Sequence, residues 1–195
     1  MRLKVDLHVH TTNSKDGHIP PKLLPKLILL KGLDGVAVTD HGVPFKLPRG
    51  KALIIPGIEV ATKDGHLVAL GVEGPIQGGL PAVETAEKIR ESSGLIVIPH
   101  PYDFLGSSVN PFKLKGKADA IETVNSSIFT FSLSKFLAER AAIKLNLPAV
   151  AGSDAHVAEA LGDAYTLIES PSKSVEDVLE AIKKGRTTPY GKATP

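Results

Sequence analysis

The first residues of the chain alternate between apolar and polar side chains. The apolar positions are Val5, Leu7 and Val9, and the polar positions beside them are Asp6, His8 and His10. Such an alternation is typical of a β-strand, because successive side chains of a strand point to opposite faces. Two imidazoles on one strand face aim their ring nitrogens into the same space, and histidine is the commonest metal ligand. The pattern predicts either a strand that presents a metal site or two half-exposed histidines without a function.

Short apolar runs and helical periodicities alternate along the rest of the chain. We predict further strands over residues 35–42, 52–60, 66–71, 95–100, 120–124, 149–156 (with its loop) and 164–169. Helices are predicted over residues 20–30, 82–93, 129–145 and 174–184. Pro25 indicates that the regular part of the first helix starts there or that its first turn is kinked. The turn at Asp64-Gly65 predicts a hairpin between two of the strands.

The third helix offers a set of apolar side chains for a buried face. The members of this expected face are Phe129, Leu133, Phe136, Leu137, Ala141 and Leu145. Repeated strand–helix units with apolar strands favour a parallel α/β architecture, most simply a barrel. The prediction counts about seven barrel strands, one fewer than the eight of the standard (β/α) barrel. No linker or low-complexity segment divides the sequence, so we expect a single domain over residues 1–195.

Composition narrows the classes of function. The 195 residues are 42% hydrophobic and 23% charged, as in a soluble globular protein. Without an 18-residue apolar stretch or a signal-peptide core, we expect no membrane span and a cytoplasmic location. The absence of cysteine excludes disulfides and thiolate metal sites. The net charge of +2 is too small to argue for nucleic-acid binding.

Candidate chemistry concentrates where the predicted strands end. Residues in these positions are His8, His10, His41, Glu59, His100, Asp154 and His156, with Asp16 in the first loop and His66 at the start of the returning hairpin strand. In parallel α/β folds the carboxyl ends of the strands are where sites are built. Nine nitrogen and oxygen ligands exceed what one metal takes, so we expect two to three divalent ions. Histidine with carboxylate suits zinc, manganese and iron.

Seven short motifs together resemble those of one family. They are DLHVHT with the following Asp16-Gly17, TDHG, GIEV, GHLVALG, the Pro99–Pro101 triplet PHP, and SDAH. Their order resembles that of the polymerase and histidinol phosphatase (PHP) domain superfamily. The resemblance implies a distorted seven-stranded (β/α) barrel and a phosphoesterase activity. The sequence departs from longer members of the family because it lacks a polymerase module and has a short loop over residues 43–51.

The resemblance also implies how the ligands divide. The first metal would be held by His8, His10, Glu59 and Asp154. Glu59 would bridge to a second metal held by His66 and His100, and a third would be held by Asp16, His41 and His156. The residues expected to act in catalysis are Glu59, Asp154 and His156. Two cations that share a hydroxide, and so lower its pKa, would direct it at the phosphorus of a phosphate ester.

Several alternatives stay open at this point. An amidohydrolase-like C–N hydrolase also opens with a strand-borne His-x-His, and a non-catalytic RNA-binding subunit has a similar barrel. Asp6 and Asp40 would either orient imidazoles or bond to the backbone, and His18 is expected at the surface. Phosphate contacts could come from Lys15, Lys63, Arg140 or Arg186. The expected partner is a small phosphorylated substrate or nucleotide, with a nucleic-acid end as an option; monoester or diester and the oligomeric state stay open.

Overall fold

The computed structural model describes residues 1–45 and 52–194. Within these residues the chain forms nine β-strands and four α-helices. The strands are β1 (Arg2–Val9), β2 (Gly35–Val38), β3 (Leu53–Thr62), β4 (Gly65–Leu70), β5 (Leu95–Ile98), β6 (Ala120–Asn125), β7 (Ala149–Gly152), β8 (Ala164–Glu169) and β9 (Thr187–Gly191). The helices are α1 (Leu24–Leu30), α2 (Ala82–Glu91), α3 (Phe131–Leu145) and α4 (Val175–Lys183). The expected short loop over residues 43–51 falls largely outside the described residues.

The strands form one sheet in the order β7-β6-β5-β4-β3-β2-β1-β8-β9. β1, β2 and β3 are parallel to one another, and so are β5, β6 and β7. β4 runs antiparallel between these two groups, β8 runs antiparallel to β1, and β9 runs antiparallel to β8. The parallel α/β prediction is therefore correct for six strands, and the antiparallel strands complete the sheet.

The two ends of the sheet approach each other and nearly close a barrel. Ala155, just after β7, forms a bridge with Val9 of β1, and the backbone N–H of Ala151 donates to Thr166 Oγ1 in β8 at 2.8 Å. This closure confirms the predicted α/β barrel class. The predicted strand count of seven is wrong, because the described residues form nine. The apolar pattern does not predict β9, since Thr187–Gly191 is polar and half-exposed.

The hairpin of β3 and β4 turns where the sequence predicts. Thr62 pairs with Gly65, and Glu59 pairs with Val68 further down the ladder. Gly65 has a φ of +130°, and a Cβ at this position would lie 2.5 Å from the backbone carbon of Ser108. Only glycine fits both the backbone conformation and the close approach of the neighbouring loop. The hairpin therefore returns the chain at the same end of the barrel where β3 finishes.

An extra residue in β1 changes which side chains face the barrel interior. Asp6 pairs with Val36, but Val9 pairs with Val38, so β1 has one residue more than β2 between these pairs. Such a β-bulge interrupts the alternation of side chains. Leu7 packs with apolar residues of the other strands inside the barrel. His8, the next residue, also faces the interior, where it contacts Glu122 of β6 and His100 after β5. The expectation that Asp6 shares a face with the histidines is therefore wrong.

The helices pack differently from the sequence expectation in one case. α1 begins at Leu24 after a 3-10 turn, Pro21–Leu23, so Pro25 stands in its first turn as predicted. The buried residues of α3 are Ser134, Ala138, Ala141 and Ala142, whereas Phe129, Leu133 and Phe136 are exposed. The predicted buried face is correct only at Ala141. Small side chains let α3 approach β6 closely, and this leaves the large ones outside.

No α-helix in the described ranges is long and apolar enough to cross a membrane.

Candidate metal centre

The nine predicted ligands lie together at one end of the barrel. His8 and His10 stand at the end of β1, Asp16 in the loop after it, His41 after β2, Glu59 in β3, His66 at the start of β4, His100 after β5, and Asp154 with His156 after β7. β4 is antiparallel to its neighbours, so its first residues lie at the carboxyl ends of the parallel strands. The barrel thus gathers residues that are up to 148 positions apart along the chain.

Glu59 is the centre of the cluster. Its side chain is buried, and each of its two oxygens faces a different set of imidazoles. Oε1 lies 2.9 Å from His100 Nε2 and 3.0 Å from His66 Nδ1. Oε2 lies 3.0 Å from His41 Nδ1, 3.4 Å from His10 Nε2 and 3.6 Å from His8 Nε2. One carboxylate can therefore serve two adjacent groups of ligands.

Asp154 completes the group around Glu59 Oε2. Its Oδ1 lies 3.2 Å from His10 Nε2 and 3.5 Å from His8 Nε2. These two imidazoles and the two carboxylates form a largely buried set of two nitrogens and two oxygens, in which only Asp154 is partly exposed. Four such ligands suit a tetrahedral divalent ion.

A third group lies nearer the solvent. Asp16 Oδ2 is 3.3 Å from His41 Nε2 and 3.5 Å from His156 Nε2. Their side chains are 53%, 34% and 30% exposed, whereas those of His8 and His10 are 1% and 0% exposed. His10 also contributes a ligand atom close to this group. The cluster therefore has a buried inner part and an open outer part.

Three of the histidines have an Nδ1 partner outside the set of proposed ligand atoms, which leaves Nε2 toward the cluster. His8 Nδ1 lies 3.3 Å from Glu122 Oε1, His10 Nδ1 lies 3.4 Å from Ser14 Oγ, and His156 Nδ1 lies 2.9 Å from the carbonyl oxygen of Asp154. A carbonyl can only accept, so His156 carries its proton on Nδ1 and offers a lone pair on Nε2. Imidazoles that bind metals are supported in this way through their other nitrogen.

The set of His8, His10, Glu59 and Asp154, here called the inner group, contains buried polar atoms that a divalent metal would satisfy. His8 Nε2 and His10 Nε2 are buried and have no hydrogen-bond partner among the described residues. A buried polar atom without a partner costs about 1–3 kcal/mol, so a pair of them aimed at two carboxylates needs an explanation. A cation held by the imidazoles and the carboxylates would satisfy both nitrogens. The donor chemistry, nitrogen and oxygen without sulfur, suits zinc, manganese or iron.

Burial and opposite charge act against each other in this cluster. Burial alone would raise the pKa of the Glu59 carboxyl, but the His8 imidazole and hydrogen bonds from its neighbours hold that pKa well below the ordinary value. Burial would likewise lower the pKa of His8, but Asp154 and Glu122 raise it well above the ordinary value. Without a metal, the cluster thus pairs ionised carboxylates with protonated imidazoles. A divalent ion would replace these protons.

Asp6 and Asp40 do not contact imidazole nitrogens. Asp6 accepts hydrogen bonds from Ser153 N at 2.8 Å and Gly162 N at 3.0 Å, and burial raises its pKa to about 6. Asp40 accepts from Thr11 N at 2.6 Å and from Ser14 Oγ at 3.0 Å. Of the two readings, bonding to backbone and hydroxyl groups is correct. Asp40 reaches His10 only through the Ser14 hydroxyl.

The sequence does not single out Glu122, although its carboxylate does contact an imidazole. The residue is 3% exposed and lies on β6 beside His8. Its neighbour Asn125 is also absent from the predicted site, and Asn125 Nδ2 lies 3.3 Å from Asp154 Oδ2. The available signal was a glutamate in an otherwise apolar strand, which needs a partner when it is buried.

The remaining polar residues named from the sequence differ in where they lie relative to the cluster. His18 is exposed, as expected, and Lys15 and Lys63 lie in exposed loops at the same end of the barrel as the cluster. Arg140 lies on α3, 4.9 Å from the ring of Phe136, and Arg186 lies between α4 and β9 at the opposite end. Lys15 and Lys63 are therefore the better placed of the four candidates for a phosphate contact.

Comparison with known proteins finds similar proteins both by sequence and by fold. The family model PHP_C, described as PHP-associated, matches residues 133–187. The uncharacterized protein MJ0417 of Methanocaldococcus jannaschii is 31% identical over 174 residues, which cover 84% of this chain and 69% of the relative.

Two solved structures share the fold over nearly the whole chain. A two-domain protein of Bacteroides vulgatus, containing a predicted PHP-like metal-dependent phosphoesterase, has a TM-score of 0.75 and 20% identity over 98% of this chain. This chain spans only 65% of the length of that protein. PsfC of Pseudomonas syringae has a TM-score of 0.73 and 22% identity, covering 98% of this chain and 92% of PsfC. These two likenesses show the fold, and the sequence relative together with the family match shows that the chain belongs to the PHP domain superfamily.

Proposed function

We propose that the protein is a metal-dependent phosphoesterase. The observation that supports this most is the position of the Glu59 carboxylate, whose two oxygens each face a separate group of imidazoles. The inner ion would be held by His8, His10, Glu59 and Asp154, the second by Glu59, His66 and His100, and the outer one by Asp16, His41 and His156. Divalent ions bound there would supply Lewis acidity and hydroxide at neutral pH, the chemistry that hydrolysis of phosphate esters needs.

The exposures within the cluster indicate the side from which the substrate enters. The side chains of His41 and His156 are 34% and 30% exposed, while Glu59 is only 2% exposed. A phosphate group can therefore reach the cluster through the outer group, while His8, His10 and Glu59 are shielded from bulk water. Lys15, exposed and adjacent to Asp16, is placed to meet the negative charge of the incoming substrate.

We infer that water is the nucleophile. The chain has no cysteine. The hydroxyls of Ser14 and Ser153 donate to Asp40 and Asp6, at 3.0 and 2.5 Å, and are committed to these carboxylates. The role of the protein groups is to hold the cations and position the phosphate, which is most of what phosphoryl transfer requires.

The proposed substrate class is a small phosphate ester or a nucleotide. The near-balanced charge of +2 gives no long-range attraction to a polyanion, so a nucleic-acid end ranks behind small molecules. The carboxylate bridge and the dense cationic site that it would organise suit a phosphate dianion better than a neutral amide. An amide hydrolase is therefore the alternative that the test must separate.

The test is hydrolysis of a panel that contains phosphate monoesters, nucleotides, a phosphodiester, an oligonucleotide and cyclic amides. We expect phosphate release that stops with a chelator and returns with manganese or zinc. In oxygen-18 water, one heavy oxygen should appear in the released phosphate and none in the alcohol. Activity on the amides alone, label in the alcohol, or full activity in excess chelator would each rule the proposal out.

A further inference from the structure

Glu122 connects three of the proposed ligand positions from outside the ligand set. Its Oε1 lies 3.3 Å from His8 Nδ1, and its Oε2 accepts hydrogen bonds from His100 N at 2.7 Å and from Asn125 Nδ2 at 2.9 Å. Asn125 Nδ2 also reaches Asp154 Oδ2 at 3.3 Å. One buried carboxylate on β6 thus contacts a side chain of β1, the backbone after β5 and, through one amide, the loop after β7.

We propose that Glu122 is a positioning residue that fixes the tautomer and ring orientation of His8. A carboxylate on Nδ1 favours the form that carries its proton there, which leaves the lone pair of Nε2 toward Glu59 and Asp154. The inference rests on the proposed function in one respect, the use of His8 Nε2 as a metal ligand. Glu122 touches neither the substrate nor the ion in this arrangement.

The backbone around Glu122 is shaped for this contact. Glu122 pairs with Val150 but Val124 pairs with Ala151, so β6 carries an extra residue. This bulge lets Glu122 and Asn125, three positions apart, act on the same side of the strand. A bulge that re-aims side chains beside a site is a recurrent feature of sheets.

Gly152 gives a second, independent sign that the contact is built into the fold. A Cβ at this position would lie 2.3 Å from His8 Cβ and 2.7 Å from Glu122 Oε1. Both distances are shorter than side chains tolerate, so only glycine lets His8 and Glu122 meet beside β7.

The Glu122→Gln substitution distinguishes a residue that positions His8 from one that only fills space. The two N–H donors at Oε2 require an acceptor, so the amide oxygen of glutamine takes that position and its NH₂ group faces His8 Nδ1. An NH₂ group can only donate, so His8 Nδ1 must accept and its proton moves to Nε2. The atom proposed to bind the ion would then carry a proton. We expect a loss of about 10- to 100-fold in metal affinity.

The first measurement uses nitrogen-15 NMR on the metal-free protein, at a pH where His8 is neutral, with His8 assigned by the loss of its signals in His8→Gln. We expect the Nδ1–H form in the wild type and the Nε2–H form in Glu122→Gln. A structural role alone would not move the tautomer. An Nε2–H wild type would overturn the inference, and this result does not depend on whether the variant folds.

The second measurement is zinc affinity by competition with a chelating dye. Glu169→Gln, the same change at a side chain that is 60% exposed, is the matched control and should bind zinc as the wild type does. A folded Glu122→Gln with unchanged zinc affinity would refute the inference. If the tautomer and the affinity shift as expected but no phosphate ester is hydrolysed, the proposed function fails and the positioning role stands.

Discussion

Glu59→Gln tests whether one carboxylate is shared by two ion sites. The side chain of Glu59 is 2% exposed, and its two oxygens lie within 3.6 Å of five imidazole nitrogens. Glutamine keeps the size of the side chain but removes its charge and replaces one oxygen by an NH₂ group. This group would face imidazole nitrogens that must keep their lone pairs for a metal. We therefore expect two sites to lose metal together, the inner group and the group of Glu59, His66 and His100.

The magnitude follows from the position of Glu59 between the groups. Loss of a partner that only orients a ligand costs about 10- to 100-fold in metal affinity. Glu59 would touch the ions directly, so metal affinity should fall by at least about 10-fold at each of the two sites that share it, or about 1.4 kcal/mol per site. The outer group of Asp16, His41 and His156 keeps its own ligands, although His41 Nδ1 loses its contact with Glu59 Oε2.

The assay is elemental analysis of purified protein after dialysis, together with the melting temperature. The wild type should carry two to three divalent ions per chain, since nine ligands at roughly three or four per ion give that number. The variant should keep about one, and Glu169→Gln should match the wild type. A folded Glu59→Gln variant with a full complement of metal would refute the shared-carboxylate arrangement.

Four further results are expected. Asp16→Asn should remove about one ion and leave the melting temperature unchanged, because its side chain is 53% exposed and serves the outer group; loss of all metal in elemental analysis would contradict this. Gly152→Ala should destabilise the protein by about 1–3 kcal/mol in chemical denaturation, whereas Gly74→Ala, where a Cβ meets nothing within 4 Å, should not. Asp6→Asn should cost about 1–3 kcal/mol in the same measurement on metal-free protein, because its NH₂ group would oppose backbone N–H donors. Metal affinity in pH titrations should fall as the pH drops, because, against the effect of burial, Asp154 raises the pKa of His8 well above its ordinary value and protons compete with the ion.

Most of the candidate ligands could be found from the sequence because they lie at or just after an end of a short apolar run; Asp16, in the first loop, is the exception. The rule that sites form at the carboxyl ends of parallel strands then places them together without any knowledge of the loops between them. The same rule works for His66 only through the hairpin, since the turn at Asp64-Gly65 returns β4 to that end of the barrel.

The bulges in β1 and β6 could not be predicted in this way. A bulge depends on how a strand pairs with its neighbour, and alternation read along one strand assumes that no residue is added. This is why Asp6 was expected beside the histidines and why Glu122 and Asn125 were not expected to act together. The contact of Glu122 with His8 joins residues 114 positions apart, which no local pattern encodes.

The surface of α3 shows a different limit of periodicity. Large apolar residues at helical spacing predict a buried face, but the face that packs on β6 is made of serine and alanine. Close helix–sheet packing is decided by the room between the two backbones, and small residues satisfy it as well as large ones. Leu133 and Phe136 of α3 are 51% and 53% exposed as a result, although their spacing is that of core residues.

Two proposed ligands sit on backbone that folding alone must hold in place. His100 has a φ of +28° and Asp154 a φ of +56°, a region that costs residues other than glycine about 1–3 kcal/mol. Such conformations persist only where the surroundings fix them. The N–H of His100 donates to Glu122 Oε2 at 2.7 Å, and the N–H of Asp154 donates to the carbonyl oxygen of His8 at 2.8 Å. Each strained residue is thus tied by its own N–H to a group that also positions His8 or belongs to it. The polypeptide therefore sets the arrangement of these ligands before any ion binds, and the energy that a bound ion gains is not spent on bending the chain.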